Sequence, residues 1–324
     1  MARGLSIGKS EMVRMVRILV ICLAGLLAVI HHTVASATEI GVVLAGNRSQ
    51  FWQVLAEGVR KAASDAKVNV IIRAPNEDDP QAIRDNLQVR MIQSMLERKV
   101  DGLILAPMPV AAPAAPPVIG VPFLLIDREG ADYSAPLVAT DNYAAGRRAA
   151  QTLRGALPRG ARIGVFRVAR DLQATTAREN GFIAAATELG FRVVLQTYLG
   201  YDIRGMQTAA AAALAKHAQA LDAVFTPHDI STFSVVRAIN ALPKGKRPLQ
   251  VGFDYWPSFA PSLRNGELHA IVIQRPFNMG YEAMRELAES MRANRPPRHI
   301  RIGTLVVTAA RLDDADVREE LARY

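Results

Sequence analysis

Short apolar runs, each followed by a stretch of helical spacing, recur along this chain and restrict its fold more than any other feature. Glu39 to Leu44, Val68 to Arg73, Val100 to Leu105 and Val121 to Ile126 are such runs. A strand with one wet face alternates polar and apolar residues. A run that stays apolar is buried on both faces, which calls for a parallel sheet with helices on each side. Phe51 to Ala66 places Val54, Leu55, Val59, Ala62 and Ala63 on one helical face. A second helix is expected to open at Asp79-Pro80, aspartate as cap and proline in the first turn, and to run to about Glu97.

The same order returns in the second half. Helices are expected from Asn142 to Leu157, Thr175 to Leu189 (stopped by Gly190), Arg204 to His217, Ile230 to Leu242 and about Met279 to Ala293. Strands are expected at Arg162 to Phe166, Arg192 to Thr197, Ala223 to Phe225, Leu249 to Phe253 and Ala270 to Gln274. Two successive sets of βα units point to an α/β protein of two similar lobes, each a doubly wound parallel sheet. One connection differs: residues 107–117 hold five prolines, which exclude a regular crossover helix and leave an extended link.

Residues 1–37 read as a secretory signal peptide. Arg3, Lys9, Arg14 and Arg17 form a basic start, Ile18 to Ile30 is uncharged and apolar, and Ala35-Ser36-Ala37 supplies small residues for cleavage. Met12 or Met15 would give a tidier start. The apolar run is shorter than the roughly 20 residues that span a bilayer. An uncleaved anchor is the alternative, and both readings export the rest of the chain. The only cysteine, Cys22, lies in this segment, so the chain from Thr38 onward relies on its core and not on disulfides. The net charge of +9 falls to about +6 beyond residue 37 and is scattered. No stripe of stacking aromatics accompanies it, so nucleic acid is not an expected partner. The charge favours an anionic ligand or surface.

Polar residues gather where strands end. Ser49, Phe51 and Trp52 follow the first strand, Asp127 and Arg128 follow the strand ending at Ile126, and Asp254 follows Gln250-Val251-Gly252-Phe253. Arg178, Tyr201, His228 and Gln274 stand at comparable places. Ligands of open α/β sheets bind outside the carboxyl ends of strands. Carboxylates, guanidinium groups, amides and flat rings together suit a polyhydroxylated ring. Each residue also has a plainer role: Asp127 and Asp254 as helix caps or turn residues, the arginines as solvated surface, Phe51 and Trp52 as core, His228 as an exposed or capping histidine. Enzyme signatures are missing: there is no G-x-G-x-x-G after a strand, no Walker loop, no G-x-S-x-G and no H-E-x-x-H. The four histidines beyond residue 37 have no metal-binding spacing, so no metal, cofactor or catalytic residue is expected.

The chain resembles the periplasmic sugar-binding proteins of the ribose-binding type. The resemblance rests on Phe51-Trp52 with Glu57-Gly58, Ile126-Asp127-Arg128, Thr140-Asp141-Asn142, Thr176-Ala177-Arg178-Glu179 with Gly181-Phe182, and Val251-Gly252-Phe253-Asp254 with Asn265-Gly266. It implies a three-crossing hinge near Thr140, Gln274 and Gly303. The lobes would be residues 38–139 plus 275–302, and 140–274 plus 303–324. It implies stacking by Phe51 and Trp52, hydroxyl binding by Asp127 and Arg128, and further contacts from Arg178, Tyr201, Asp254 and Gln274. It also implies a monomer of the periplasm that closes on a sugar or similar polar metabolite and hands it to the permease of an ABC importer. The chain departs from the family pattern at Ser49, at Ala106-Pro107 and at His228-Asp229, where asparagine is common, and in the proline-rich link. Plain ribose held in the family's manner is therefore not expected. Two other functions fit parts of the pattern: a sensory module that signals to a membrane kinase or chemoreceptor, and an exported glycoside-acting enzyme using paired carboxylates.

Overall fold

The computed structural model describes residues 38–76, 81, 86–108, 114–130, 133–170 and 172–324. The signal-peptide reading of residues 1–37 and the helix start at Asp79-Pro80 lie outside them. The apolar runs form strands as expected: β1 Glu39–Val43, β2 Asn69–Arg73, β3 Gly102–Leu105 and β4 Phe123–Ile126, joined by β5 Leu137–Thr140. These pair in the order β2-β1-β3-β4-β5, and β11 Ile300–Ile302 adds to β5, every pairing being parallel.

The second sheet repeats this order. Its strands are β6 Arg162–Arg167, β7 Arg192–Tyr198, β8 Ala223–Phe225, β9 Leu249–Phe253 and β10 Ala270–Ile273. They pair as β7-β6-β8-β9-β10, and β12 Leu305–Val307 closes the edge antiparallel to β10. The two orders match strand for strand, so β4 and β9 hold equivalent places. The chain passes between sheets three times: after Thr140, after Ile273 and after Ile302. At these passages Arg301 Nη1 donates to Asp141 Oδ2 at 2.9 Å and Arg148 Nη1 donates to the Thr304 carbonyl at 2.9 Å.

Each sheet is covered by helices that bury one apolar face. Around the first lie α1 Gln50–Ala66, α2 Leu87–Glu97 and, after α3 to α7, α8 Pro276–Arg292. Around the second lie α3 Asn142–Gln151, α4 Gln173–Glu188, α5 Ile203–His217, α6 Asp229–Asn240, α7 Phe259–Arg264 and α9 Ala315–Leu321. Two helix pairs approach through glycine. A Cβ on Gly58 of α1 would lie 2.0 Å from the Phe277 carbonyl oxygen, and one on Gly280 of α8 would lie 2.0 Å from that of Leu55. In the other lobe, a Cβ on Gly146 of α3 would lie 1.9 Å from the Arg178 carbonyl oxygen, and one on Gly181 of α4 would lie 2.1 Å from that of Tyr143. The second pair fixes the backbone that carries Arg178.

Several boundaries differ from the sequence reading. Helix α3 stops at Gln151 and not at Leu157, because the chain turns and reaches φ 80° at Gly155. Helix α8 begins earlier, at Pro276, where a proline fits the first turn. Periodicity missed β5, β11, β12, α7 and α9, all shorter than two helical turns or five strand residues. The proline-rich link holds neither helix nor strand among its described residues.

Candidate functional site

Asp127 and Asp254 end β4 and β9, the equivalent strands of the two sheets. In each case the backbone N–H completes the ladder, Asp127 to the Val138 carbonyl and Asp254 to the Val272 carbonyl, both at 2.9 Å. The chain then turns into the left-handed region, with φ 70° at Asp127 and 59° at Asp254. Aspartate tolerates that conformation better than most residues. Neither residue caps a helix: α7 opens later, with Ser258 at its cap position. The helix-cap reading of these two carboxylates thus fails, whereas the turn reading holds: both stand in bends at sheet corners.

Asp254 lies at the centre of a connected set. Arg178 Nη1 donates to its Oδ2 at 3.3 Å and Gln274 Nε2 donates to its Oδ1 at 2.9 Å. Thr140 Oγ1 donates to Gln274 Oε1 at 2.9 Å, which fixes the amide with its NH2 towards Asp254. Arg178 is locked from three sides. Its Nε donates to Asn142 Oδ1 at 2.8 Å, its Nη1 also donates to the Pro227 carbonyl at 3.0 Å, and its guanidinium lies 4.0 Å above the Phe253 ring. The next residue, Glu179, anchors α4 to β6 through Arg167 Nε at 2.6 Å and the Val168 N–H at 3.1 Å. Burial pushes the Asp254 carboxyl above the usual carboxylate range, and Asp229 adds to this, while Arg178, Gln274 and His228 oppose it.

Asp229 and His228 lie beside this set. His228 Nε2 is 3.1 Å from Asp229 Oδ1, and Trp256 Nε1 donates to Asp229 Oδ2 at 2.9 Å. His228 Nδ1 is buried with no hydrogen-bond partner among the described residues. His228 occupies the cap position of α6 but makes no side-chain capping bond, so the capping alternative fails.

On the first sheet, Arg128 Nε donates to Asp127 Oδ2 at 2.8 Å and its guanidinium lies 5.4 Å from the Trp52 ring centre. Phe51 and Trp52 meet edge-on at 5.0 Å. Adjacent helical residues point about 100° apart, so Trp52 is buried in the core under Arg128 while Phe51 keeps a half-exposed face. Ser49 precedes α1 at its cap position without a capping bond. Tyr201 is exposed between β7 and α5, at the edge of the second sheet. Sequence reasoning missed Thr140 and Asn142 as holders of Gln274 and Arg178, and Asp229 with Trp256 as neighbours of Asp254. These contacts join residues up to 134 positions apart, beyond any local pattern.

The set offers a count of free positions. A carboxylate accepts at about four sites and a guanidinium donates five hydrogens. Asp254 keeps about two acceptor positions, Asp127 about three, and Arg178 keeps both hydrogens of Nη2. Each arginine already faces a carboxylate, so the cationic charge is balanced within the protein. Among the described residues no group of three or more His, Cys, Asp or Glu is placed to hold a metal ion, and no helix is long and apolar enough to cross a membrane.

The family model described as a periplasmic binding protein domain matches residues 40–294. The chain is 27% identical over 246 residues to the ribose import binding protein of Bacillus subtilis, spanning 74% of this chain and 77% of that protein. It is similar to the solved periplasmic component of an ABC-type sugar transport system from Hahella chejuensis, at 26% identity and TM-score 0.67, covering 83% of this chain and 99% of that one. A periplasmic ribose ABC transporter structure from Conexibacter woesei shares the fold, with TM-score 0.76 at 20% identity, covering 86% and 94%. With two like-ordered sheets joined by three crossings and a family match over most of its length, the chain belongs to the periplasmic binding protein family.

Proposed function

We propose that this protein captures one neutral monosaccharide between its two lobes and delivers it to the permease of an ABC importer. The lobes are residues 38–139 plus 275–302, and 140–274 plus 303–324. The observation that carries the reading is the pair of carboxylates on equivalent corners, each held by an arginine and each with acceptor positions to spare. Asp127, Arg128 and the Phe51 face serve from the first lobe, with Ser49 near the rim and Trp52 supporting Arg128. Arg178, Asp254, Gln274 and His228 serve from the second, and Tyr201 covers the ring on closure. The transport systems named for the Bacillus and Hahella relatives support delivery to an importer. The positive charge inferred to favour an anion does not survive at this site, because Asp127 and Asp254 occupy the guanidinium groups. A neutral polyol replaces lost water hydrogen bonds there without adding an uncompensated charge. The protein has no chemical step of its own, works in the periplasm after removal of residues 1–37, and acts as a monomer.

The test is a thermal-shift and small-angle scattering screen of residues 38–324 against D-ribose, D-allose, D-galactose, D-fucose, D-arabinose and D-tagatose. At a thousand times Kd, ligand binding stabilises by about 4 kcal/mol, which raises Tm by roughly 8–16 °C in a protein of this size. A binding sugar also lowers the scattering radius, as hinge closure requires. No shift with any of these neutral monosaccharides, beside a shift with D-ribose 5-phosphate or D-galactose 6-phosphate run in the same screen, overturns the proposal, as does no shift at all.

A further inference from the structure

The family match ends at residue 294, yet the residues beyond it reach the site. Helix α9 is fixed to the second lobe, with Val317 and Leu312 buried among Phe259, Leu263 and Ile273, and Glu320 Oε2 accepts at 3.3 Å from Nε of Arg275, the first residue past the crossing. The chain then turns towards the first lobe. The Arg323 carbonyl accepts from Gln50 Nε2 at 3.1 Å, and the Arg323 guanidinium lies 3.9 Å above the Phe277 ring. Tyr324 meets Tyr255 edge-on, with ring centres 5.6 Å apart.

Three of these four anchors have one thing in common. Gln50 precedes Phe51, Tyr255 follows Asp254 and Arg275 follows Gln274, so each adjoins a residue assigned above to the ligand. The segment therefore adjoins the ligand site and touches both lobes. The Tyr324 ring is half-buried, and its hydroxyl makes no hydrogen bond among the described residues. Burial, then the carboxylates of Asp254, Glu320 and Asp229, hold the phenol protonated well beyond neutral pH. A protonated hydroxyl without a partner, close to acidic groups, is a donor available to a ligand.

We propose that Tyr324 closes the Asp254 end of the ligand site, donating a hydrogen bond to the bound sugar and limiting the pocket to a single ring. This rests on the sugar-binding reading above. The ring sets the length admitted at that end and the hydroxyl sets preference among epimers there.

The experiment is isothermal titration of residues 38–324 and of Tyr324→Phe and Tyr324→Ala against the same six monosaccharides and against maltose and lactose. Circular dichroism and Tm of the unliganded variants verify the fold. Gln50→Ala, which removes only the bond across to α1, controls for loss of bracing. Tyr324→Phe is expected to bind the preferred sugar about five- to tenfold more weakly, one neutral hydrogen bond's worth, with a changed ratio between epimers. Tyr324→Ala is expected to bind it more weakly still and to gain disaccharide binding that the unsubstituted chain lacks. An equal loss for every sugar, matching that of Gln50→Ala, assigns the segment to bracing and overturns the proposal. Unchanged Kd values in both tyrosine variants overturn it too. If the unsubstituted chain binds no monosaccharide, the sugar-binding reading itself has failed.

Discussion

Replacing Asp254 by asparagine separates binding from folding. The carboxylate accepts from Arg178 at 3.3 Å and from Gln274 at 2.9 Å, which leaves about two acceptor positions for ligand hydroxyls. Hydrogen bonds to a charged group contribute about 1.5–3 kcal/mol each. Losing two therefore weakens binding by about 3–6 kcal/mol, or roughly two to four powers of ten at 1.36 kcal/mol per decade. Asparagine retains one acceptor oxygen but puts a donor where the other stood, so the loss is at least a hundredfold. Folding responds in the opposite sense. The folded carboxyl has a pKa above its unfolded value, so between those two values the folded chain binds more protons. Stability therefore falls as pH rises through that window, and above it the ionised Asp254 is a standing cost. Asparagine removes the cost, while Arg178 loses only its longest contact and keeps Asn142 and the Pro227 carbonyl. The two effects oppose, so the unliganded Tm stays within about 4 °C. Titration calorimetry with the sugar identified by the screen, beside differential scanning calorimetry, measures both quantities. Affinity within threefold of the unsubstituted chain, or a Tm lowered by more than about 10 °C, would refute the reasoning.

Four further outcomes are expected. Thr140→Val frees the Gln274 amide to turn, which should weaken sugar binding about fivefold and lower stability by about 1 kcal/mol, read by titration and urea unfolding. Gly146→Ala places a methyl group against the Arg178 carbonyl, so it should lower Tm by several degrees and weaken binding together; an unchanged Tm would mean the helices can part. Glu286 is fully buried, accepts from Arg295 and Arg298, and these bonds hold its carboxyl down at about 2 against burial. Its stabilisation, up to about 3 kcal/mol, is present above pH 4.5 and lost towards pH 2. The gap in urea stability between the parent and Glu286→Gln should accordingly close over that range. Trp52 lies under Arg128 and Trp256 beside Asp229, and the chain has no other tryptophan. In stopped flow, Trp52→Phe should report a fast phase that rises with sugar concentration, and Trp256→Phe a later phase that does not.

The fold was largely visible in the sequence because its central strands are buried on both faces and therefore lack polar alternation, unlike the edge strands β2 and β7. Val42-Val43-Leu44 and Ala270 to Ile273 are unambiguous for this reason. Leu137–Thr140, Ile300–Ile302 and Leu305–Val307 were not legible: three or four residues carry no period, and only the neighbouring strand makes them β. For the site, strand ends located Asp127 and Asp254, but nothing local announces that both adopt positive φ. Nor could spacing pair Arg178 with Asp254, 76 positions away, or show that Asn142 holds the same guanidinium. Net charge misled in a specific way. It is a sum over the whole chain and carries no position, whereas at the site Arg128 and Arg178 are each bonded to a carboxylate, so these pairs hold no excess of positive charge.

The two halves of the site are alike in topology and unlike in readiness. Arg178 comes from the neighbouring helix, is 5% exposed at its side chain and has three polar partners besides the Phe253 face. Arg128 directly follows Asp127, is 47% exposed and, among the described residues, is held by that aspartate and by the Trp52 ring. Ordering a long side chain on binding costs about 0.5–1.5 kcal/mol. For Arg178 that cost was met in folding, whereas Arg128 incurs it when the ligand arrives. On the site proposed above, a sugar therefore gains most by docking first on the preorganised second lobe, where Asp254, Gln274 and Arg178 already stand in register. The first lobe then closes over it through Arg128 and Phe51. The order follows from which guanidinium is locked: were Arg128 buried and Arg178 loose, the same pair of aspartates would favour the reverse sequence.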